Sequence, residues 1–133
     1  MEIEVMPYVA LDGIPTFKDS FLGSLYDQMV ADNTLTTVFY DGTVQSAADF
    51  IKEVKDPKNS FWMIFIDGVV SGLFWLNTFE GKTAKLHFNG FSNTWGKKTD
   101  EGNDLTIEAG KKAVSTVLSL EKSNGGYQSK DKR

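Results

Sequence analysis

The sequence has 133 residues, 41 % hydrophobic and 13 % aromatic, which predicts one domain able to fill a core of its own. Eighteen acidic against 14 basic side chains leave a net charge of -4, which argues against the basic footprint of a nucleic-acid binder. The absence of cysteine excludes thiolate nucleophiles, thiolate-held zinc, iron–sulfur clusters and disulfides, and a single histidine, His87, excludes a histidine-rich metal site, leaving metal-free catalysis or binding.

Ile3, Val5 and, beyond Pro7, Tyr8 to Leu11 predict a first strand, with Pro7 on an edge or a bulge because it cannot donate to a ladder. Thr16 followed by Asp19 reads as a helix start, and Phe21, Leu22, Leu25, Tyr26, Met29 and Val30 recur at helical spacing through about Asp32. A polar gap with a turn at Asp41-Gly42 follows. Ser46-Ala47-Ala48-Asp49 then has the form of a helix cap, and Phe50, Ile51 and Val54 mark one face until Pro57 stops the helix.

Phe61 to Ile66, the turn pair Asp67-Gly68 and Val69 to Phe79 form a hairpin signal. Beyond Glu80-Gly81-Lys82, Ala84, Leu86 and Phe88 alternate with Lys85, His87 and Asn89, predicting a third consecutive strand with a polar face. Trp95 to Asp104 is polar and turn-rich. From Leu105, the residues Ile107, Gly110, Val114, Val117 and Leu118 fall on one helical stripe, with Lys111 and Lys112 on the other side, and the helix is expected to end near Leu120. The order strand, helix, helix, three meandering strands, helix places the chain in the α+β class. Residues 1–121 read as one domain and 122–133, rich in Gly, Ser, Lys and Asp, as a disordered tail. No run approaches the roughly 18 apolar residues of a membrane span. Met1-Glu2-Ile3-Glu4 also lacks the basic flank of a signal peptide, so a soluble, cytoplasmic protein without membrane or nucleic-acid partners is expected.

That element order, with Phe61-Trp62-Met63-Ile64-Phe65-Ile66-Asp67-Gly68-Val69-Val70-Ser71-Gly72, resembles the GNAT superfamily of acyl-CoA N-acyltransferases, whose hairpin carries a D-G turn and a V-x-G return strand. The resemblance covers about residues 1–121 and implies a GNAT-like, mostly antiparallel sheet, shortened at the C-terminus by the family's last strand, helix and strands. It also implies an acyl-coenzyme A cosubstrate, such as acetyl-CoA, and an amine as acceptor. In the family a loop of the form Q/R-x-x-G-x-G/A at a helix start carries the pyrophosphate. Here the matching segment is Asn93-x-x-Gly96-Lys97-Lys98, with lysine where the family has a small residue.

Gly96, Lys97, Lys98 and Thr99 ahead of a helix would suit an anion through N–H groups and ammonium charge, and with Phe91 and Trp95 they form the candidate cofactor-binding set. His87 is chemically suited to act as a base near neutral pH, but no carboxylate near it in sequence orients it. The family's base moves between positions, which leaves Asp41, Glu53, Asp67 and Glu80 unranked, and Tyr127 is the tyrosine after the last helix; no catalytic residue is assigned. The aromatics Trp62, Phe74, Trp75, Phe79, Phe88, Phe91 and Trp95 are expected mostly in the core, with Phe74 and Trp75 on opposite faces and one tryptophan on an exposed face or subunit contact.

Three readings stay open. The first is an N-acyltransferase. The second is a shortened, catalytically inactive GNAT-like module for binding or assembly. The third is a structural protein of a phage or mobile element, which the segment His87-Phe88-x-x-Phe91 resembles. Because an uncovered edge at the last strand would expose unpaired backbone groups, a homodimer that completes the sheet is expected.

Overall fold

A computed structural model describes residues 1–39, 42, 44–80 and 83–124, without the side chains of 78–80, 83–84 and 120–124. Its strands are β1 (Ile3–Pro7), β2 (Ala10–Leu11), β3 (Ile14–Pro15), β4 (Ser60–Ile66), β5 (Val69–Glu80) and β6 (Thr83–Gly90). Its helices are α1 (Asp19–Ala31), α2 (Leu35–Val38), α3 (Ala47–Lys55) and α4 (Leu105–Asn124), with a 3-10 turn at Ser92–Thr94. The predicted α+β class holds: an antiparallel sheet in the order β1-β4-β5-β6 carries helices on both faces. No helix among the described residues is long and apolar enough to cross a membrane.

The β4–β5 hairpin forms where the sequence places it. Asp67 and Gly68 take positive φ values of 51° and 83°, the geometry that matches a two-residue loop to the twist of its strands. On the return strand Gly72 is required by close approach rather than by φ. A Cβ there would lie 2.7 Å from the Asn89 carbonyl oxygen and 3.3 Å from Gly90 Cα, both backbone atoms that cannot swing away. The Ser46 cap of α3 is also present, its Oγ accepting from Asp49 N–H at 3.1 Å.

One face of the sheet packs on α1 and α3. Leu22, Leu25, Met29, Phe50 and Val54 from the helices meet Phe61, Met63, Leu73 and Trp75 from the strands, and Phe91 joins them. Phe61 and Phe39 each stack on Trp75, at 4.9 and 5.0 Å between ring centroids. The opposite face packs on α4, where Ala109 and Ala113 bring the helix down onto Ile64 and Phe74, and Trp62 stacks on Phe74 at 5.8 Å. Phe74 and Trp75 therefore do face opposite sides, both buried, and Trp95 is the tryptophan left exposed.

Several expectations are corrected. The stripe Ile107, Val114 and Leu118 is 58 %, 46 % and 54 % exposed, because α4 presents Leu105, Ala109 and Ala113 to the sheet; Val117 alone of the large apolar stripe residues packs against the core. Thr16 does not cap α1, whose N-cap is Lys18 without a side-chain bond; the Thr16 hydroxyl instead donates to Pro7 O and accepts from Val9 N–H. The first strand ends at Pro7, on the edge strand β1, and the residues beyond it form the small β2–β3 hairpin around Asp12-Gly13. The polar gap contains the short helix α2, and α4 continues past Leu120 to Asn124. The predicted tail lies outside the described residues from 125 onward.

Candidate functional site

The candidate cofactor residues lie where β6 ends and the chain crosses to α4. A network ties this crossing down. Asp32 at the end of α1 accepts Ser92 N–H at 2.8 Å, and Gln28 Nε2 donates to Asp32 at 2.8 Å. Thr94, fully buried, donates to Phe91 O at 2.8 Å and shares a 2.8 Å hydroxyl contact with Thr106 of α4. Gly90 leaves room beneath this contact: a Cβ would lie 3.0 Å from Thr106 Cγ2 and 3.3 Å from Thr94 Oγ1, so the threonine pair would have to shift by a few tenths of an ångström.

β6 is the outer strand of the sheet. Phe91 N–H donates to Ser71 O at 2.9 Å, continuing the register Gly72↔Gly90 through Asn77↔Lys85. Residues of an antiparallel strand alternate in direction, so His87 and Asn89 spend their backbone groups on β5 while Leu86, Phe88 and Gly90 turn theirs outward. The Gly90 carbonyl is taken by Trp95 Nε1 at 3.1 Å, so the indole closes the end of the edge. Among the described residues no bond from outside the sheet takes the outward backbone groups of Leu86 and Phe88, an edge suited to a ligand of extended, amide-bearing shape.

The predicted phosphate loop is placed next to this edge but is built differently from a cradle of free N–H groups. Gly96 has φ +68°, and Lys97 and Lys98 are exposed. Lys97 N–H already donates to Thr94 O, and Thr99 N–H to Asn103 O, while Thr99 Oγ1 accepts from Asn103 N–H. Asp104, bridged to Lys98 across the loop, caps α4: its carboxylate accepts from Ile107 N–H at 3.1 Å and its carbonyl from Glu108 N–H. A carboxylate thus occupies the helix N-terminus where an anion would otherwise sit. The Phe91 ring is 1 % exposed within the core, so of the candidate set Trp95, Gly96, Lys97, Lys98 and Thr99 face solvent or the loop.

His87 is half-buried and stacks on Trp75 at 4.7 Å, with Nε2 3.1 Å from Asn77 Oδ1. Burial, and to a lesser degree the Lys85 charge, push its pKa below the ordinary 6.5, so the ring is neutral at pH 7. The buried amide nitrogen of its neighbour Asn89 has no hydrogen-bond partner among the described residues. Glu53 accepts from Asn59 Nδ2 at 3.0 Å and Asp67 from Glu2 N–H at 2.8 Å, so both carboxylates serve local structure. Asp41, Tyr127 and the side chains of Phe79 and Glu80 lie outside the described residues. The Trp95–Gly90 bond and the Asp104 cap are what sequence reasoning missed; the cap had a signal, an aspartate directly before Leu105.

No family model matches the sequence, and none of the curated proteins does. Among solved structures the chain is similar to RimL, a ribosomal α-N-protein acetyltransferase, at 14 % identity and a TM-score of 0.47, covering 76 % of this chain and 60 % of that one. It is similar also to an aminoglycoside acetyltransferase from an uncultured soil metagenomic sample, at 10 % identity and 0.48, covering 96 % of this chain and 76 % of that one. A third, an acetyltransferase from Streptococcus agalactiae, has 19 % identity and a TM-score of 0.46, over 86 % of this chain and 67 % of that one. The chain thus spans less than two thirds of the length of RimL.

Proposed function

We propose that the chain is an acyl-coenzyme A-dependent N-acyltransferase of GNAT type, with the carrier's amide-bearing arm laid along the outer edge of β6. The observation that carries this reading is the pair of outward-turned residues Leu86 and Phe88, bounded by the Trp95–Gly90 bond and followed at once by Lys97 and Lys98. An arm with amides in series pairs with such an edge as an added strand would. The diphosphate beyond it meets two exposed ammonium groups.

Transfer itself requires the acceptor amine to attack the thioester carbonyl, a proton to leave the amine, and the thiolate to depart with a proton. No side chain is given the proton-transfer role: His87 is occupied by Trp75 and Asn77, as the aromatic and polar contacts above describe.

Because the Lys97 and Thr99 N–H groups are engaged and Asp104 caps α4, the lysine side chains carry most of the phosphate contact, which makes binding salt-sensitive. The same engagement favours a second reading, a binding module that no longer holds the cofactor. Calorimetric titration with acetyl-CoA, and with coenzyme A lacking the acyl group as comparison, separates the two. Micromolar saturable heat that is lost when Lys97 and Lys98 are both replaced by alanine supports the transferase; no heat at millimolar ligand leaves the module.

A further inference from the structure

Among the described residues, no element covers the outward stripe of α4. The two outer strands of a four-stranded sheet lie about 14 Å apart, while one helix is roughly 10–12 Å across, so a single helix leaves one flank bare. Here the bare flank is a groove between α4 and β6, its apolar lining Leu86, Phe88, Gly110, Ala113, Val114 and Leu118, with Lys111 and Ser115 also bordering it. Gly110 forms its notch: a Cβ placed there would meet only the Phe88 ring, at 3.9 Å. Leu118, about two turns further along α4, lines the same groove and is 54 % exposed.

We propose that this face is the contact surface of a homodimer, in which α4 packs antiparallel on α4 of a second copy about a twofold axis at Val114. The argument is one of self-complementarity. Gly110 and Leu118 lie four residues to either side of Val114, about 6 Å along the axis in each direction. An antiparallel partner centred on Val114 therefore brings each copy's Leu118 over the other's Gly110 notch, and the same patch serves both chains, as a twofold contact demands. The partner's helix also supplies the second cover that Leu86 and Phe88 lack. Residues 125–133 offer Tyr127 as their one large apolar side chain and match that lining poorly.

The contact uses side chains of α4 and the Leu86 and Phe88 side chains and leaves the outward backbone groups of β6 alone, so it stands or falls separately from coenzyme A binding. Sedimentation equilibrium without ligand should give twice the 14.8 kDa chain mass at micromolar concentration. Leu118→Lys should weaken the dimer at least about tenfold while leaving the melting temperature of the monomer unchanged, since the residue is exposed. The chain has no cysteine, so Val114→Cys introduces a single thiol at the axis and mild oxidation should yield a covalent dimer; Lys112→Cys, on the far side of the helix, should not. A monomer at every concentration tested overturns the proposal. So does a dimer indifferent to Leu118→Lys, or one in which both cysteine variants cross-link equally.

Discussion

Two helices, α1 and α3, cover one face of the sheet with large side chains such as Met29 and Phe50, whereas α4 covers the other with Ala109 and Ala113. The first face is thick and closed by stacked rings. The second rests on the small side chains of Ala109 and Ala113, and Ile107, Val114 and Leu118 of its helix point away. The difference teaches that helical periodicity marks which residues share a face but not which of two stripes the sheet selects. On α4 both stripes exist, and the smaller one won because it buries the helix more closely against Ile64 and Phe74.

The largest expected effect breaks the thick face. Phe61→Ala removes a fully buried ring between Phe50 and Trp75 and should cost about 3–5 kcal/mol by denaturant unfolding. On the thin face the sensitive change is in the opposite direction. Ala113→Leu overfills the contact with Phe74 and should cost about 1–3 kcal/mol, whereas the core cluster of the thick face, among the described residues, holds no alanine on which the same change could act.

Caps sharpen the comparison at smaller scale. Ser46→Ala at α3 and Asp104→Ala at α4 should each cost about 1 kcal/mol, and Asp104→Ala should in addition tighten coenzyme A binding by freeing the N-terminus of α4. A pH titration of stability probes the thick face at its rim. Burial favours neutral His87 in the folded chain, so the unfolded chain takes up a proton first; stability is whole above pH 6.5 and falls as the pH drops through that value. His87→Gln should flatten that part of the profile. The smallest effect is on the outward stripe: Ile107→Ser, at 58 % exposure, should move the monomer's unfolding by no more than about 0.5 kcal/mol.

What could be read from the sequence was what is decided within a few residues. Asp67-Gly68 and Ser46 act on their own turn or helix end, and both were found. The β2–β3 hairpin carries an equally local sign, Asp12-Gly13 with φ of 54° and 79°, but its two-residue strands are too short to show an alternating pattern. The facing of α4 and the Trp95–Gly90 bond are settled by the sheet's shape and by the route of the chain after β6, neither of which any window of sequence contains. The same holds for the loop at Gly96. Its glycine and lysines were visible, but the engagement of the Lys97 and Thr99 N–H groups depends on partners at Thr94 and Asn103 that only the folded crossing brings near.

The indole of Trp95 has a further consequence, for aggregation. An outer strand of eight residues is a template on which foreign strands can grow. By holding the Gly90 carbonyl, Trp95 ends that template at Phe88 and stops a docking strand from running on into the crossing. Trp95→Phe keeps the ring and loses the donor; the lengthened edge should then show itself as faster fibril growth from partly unfolded chains.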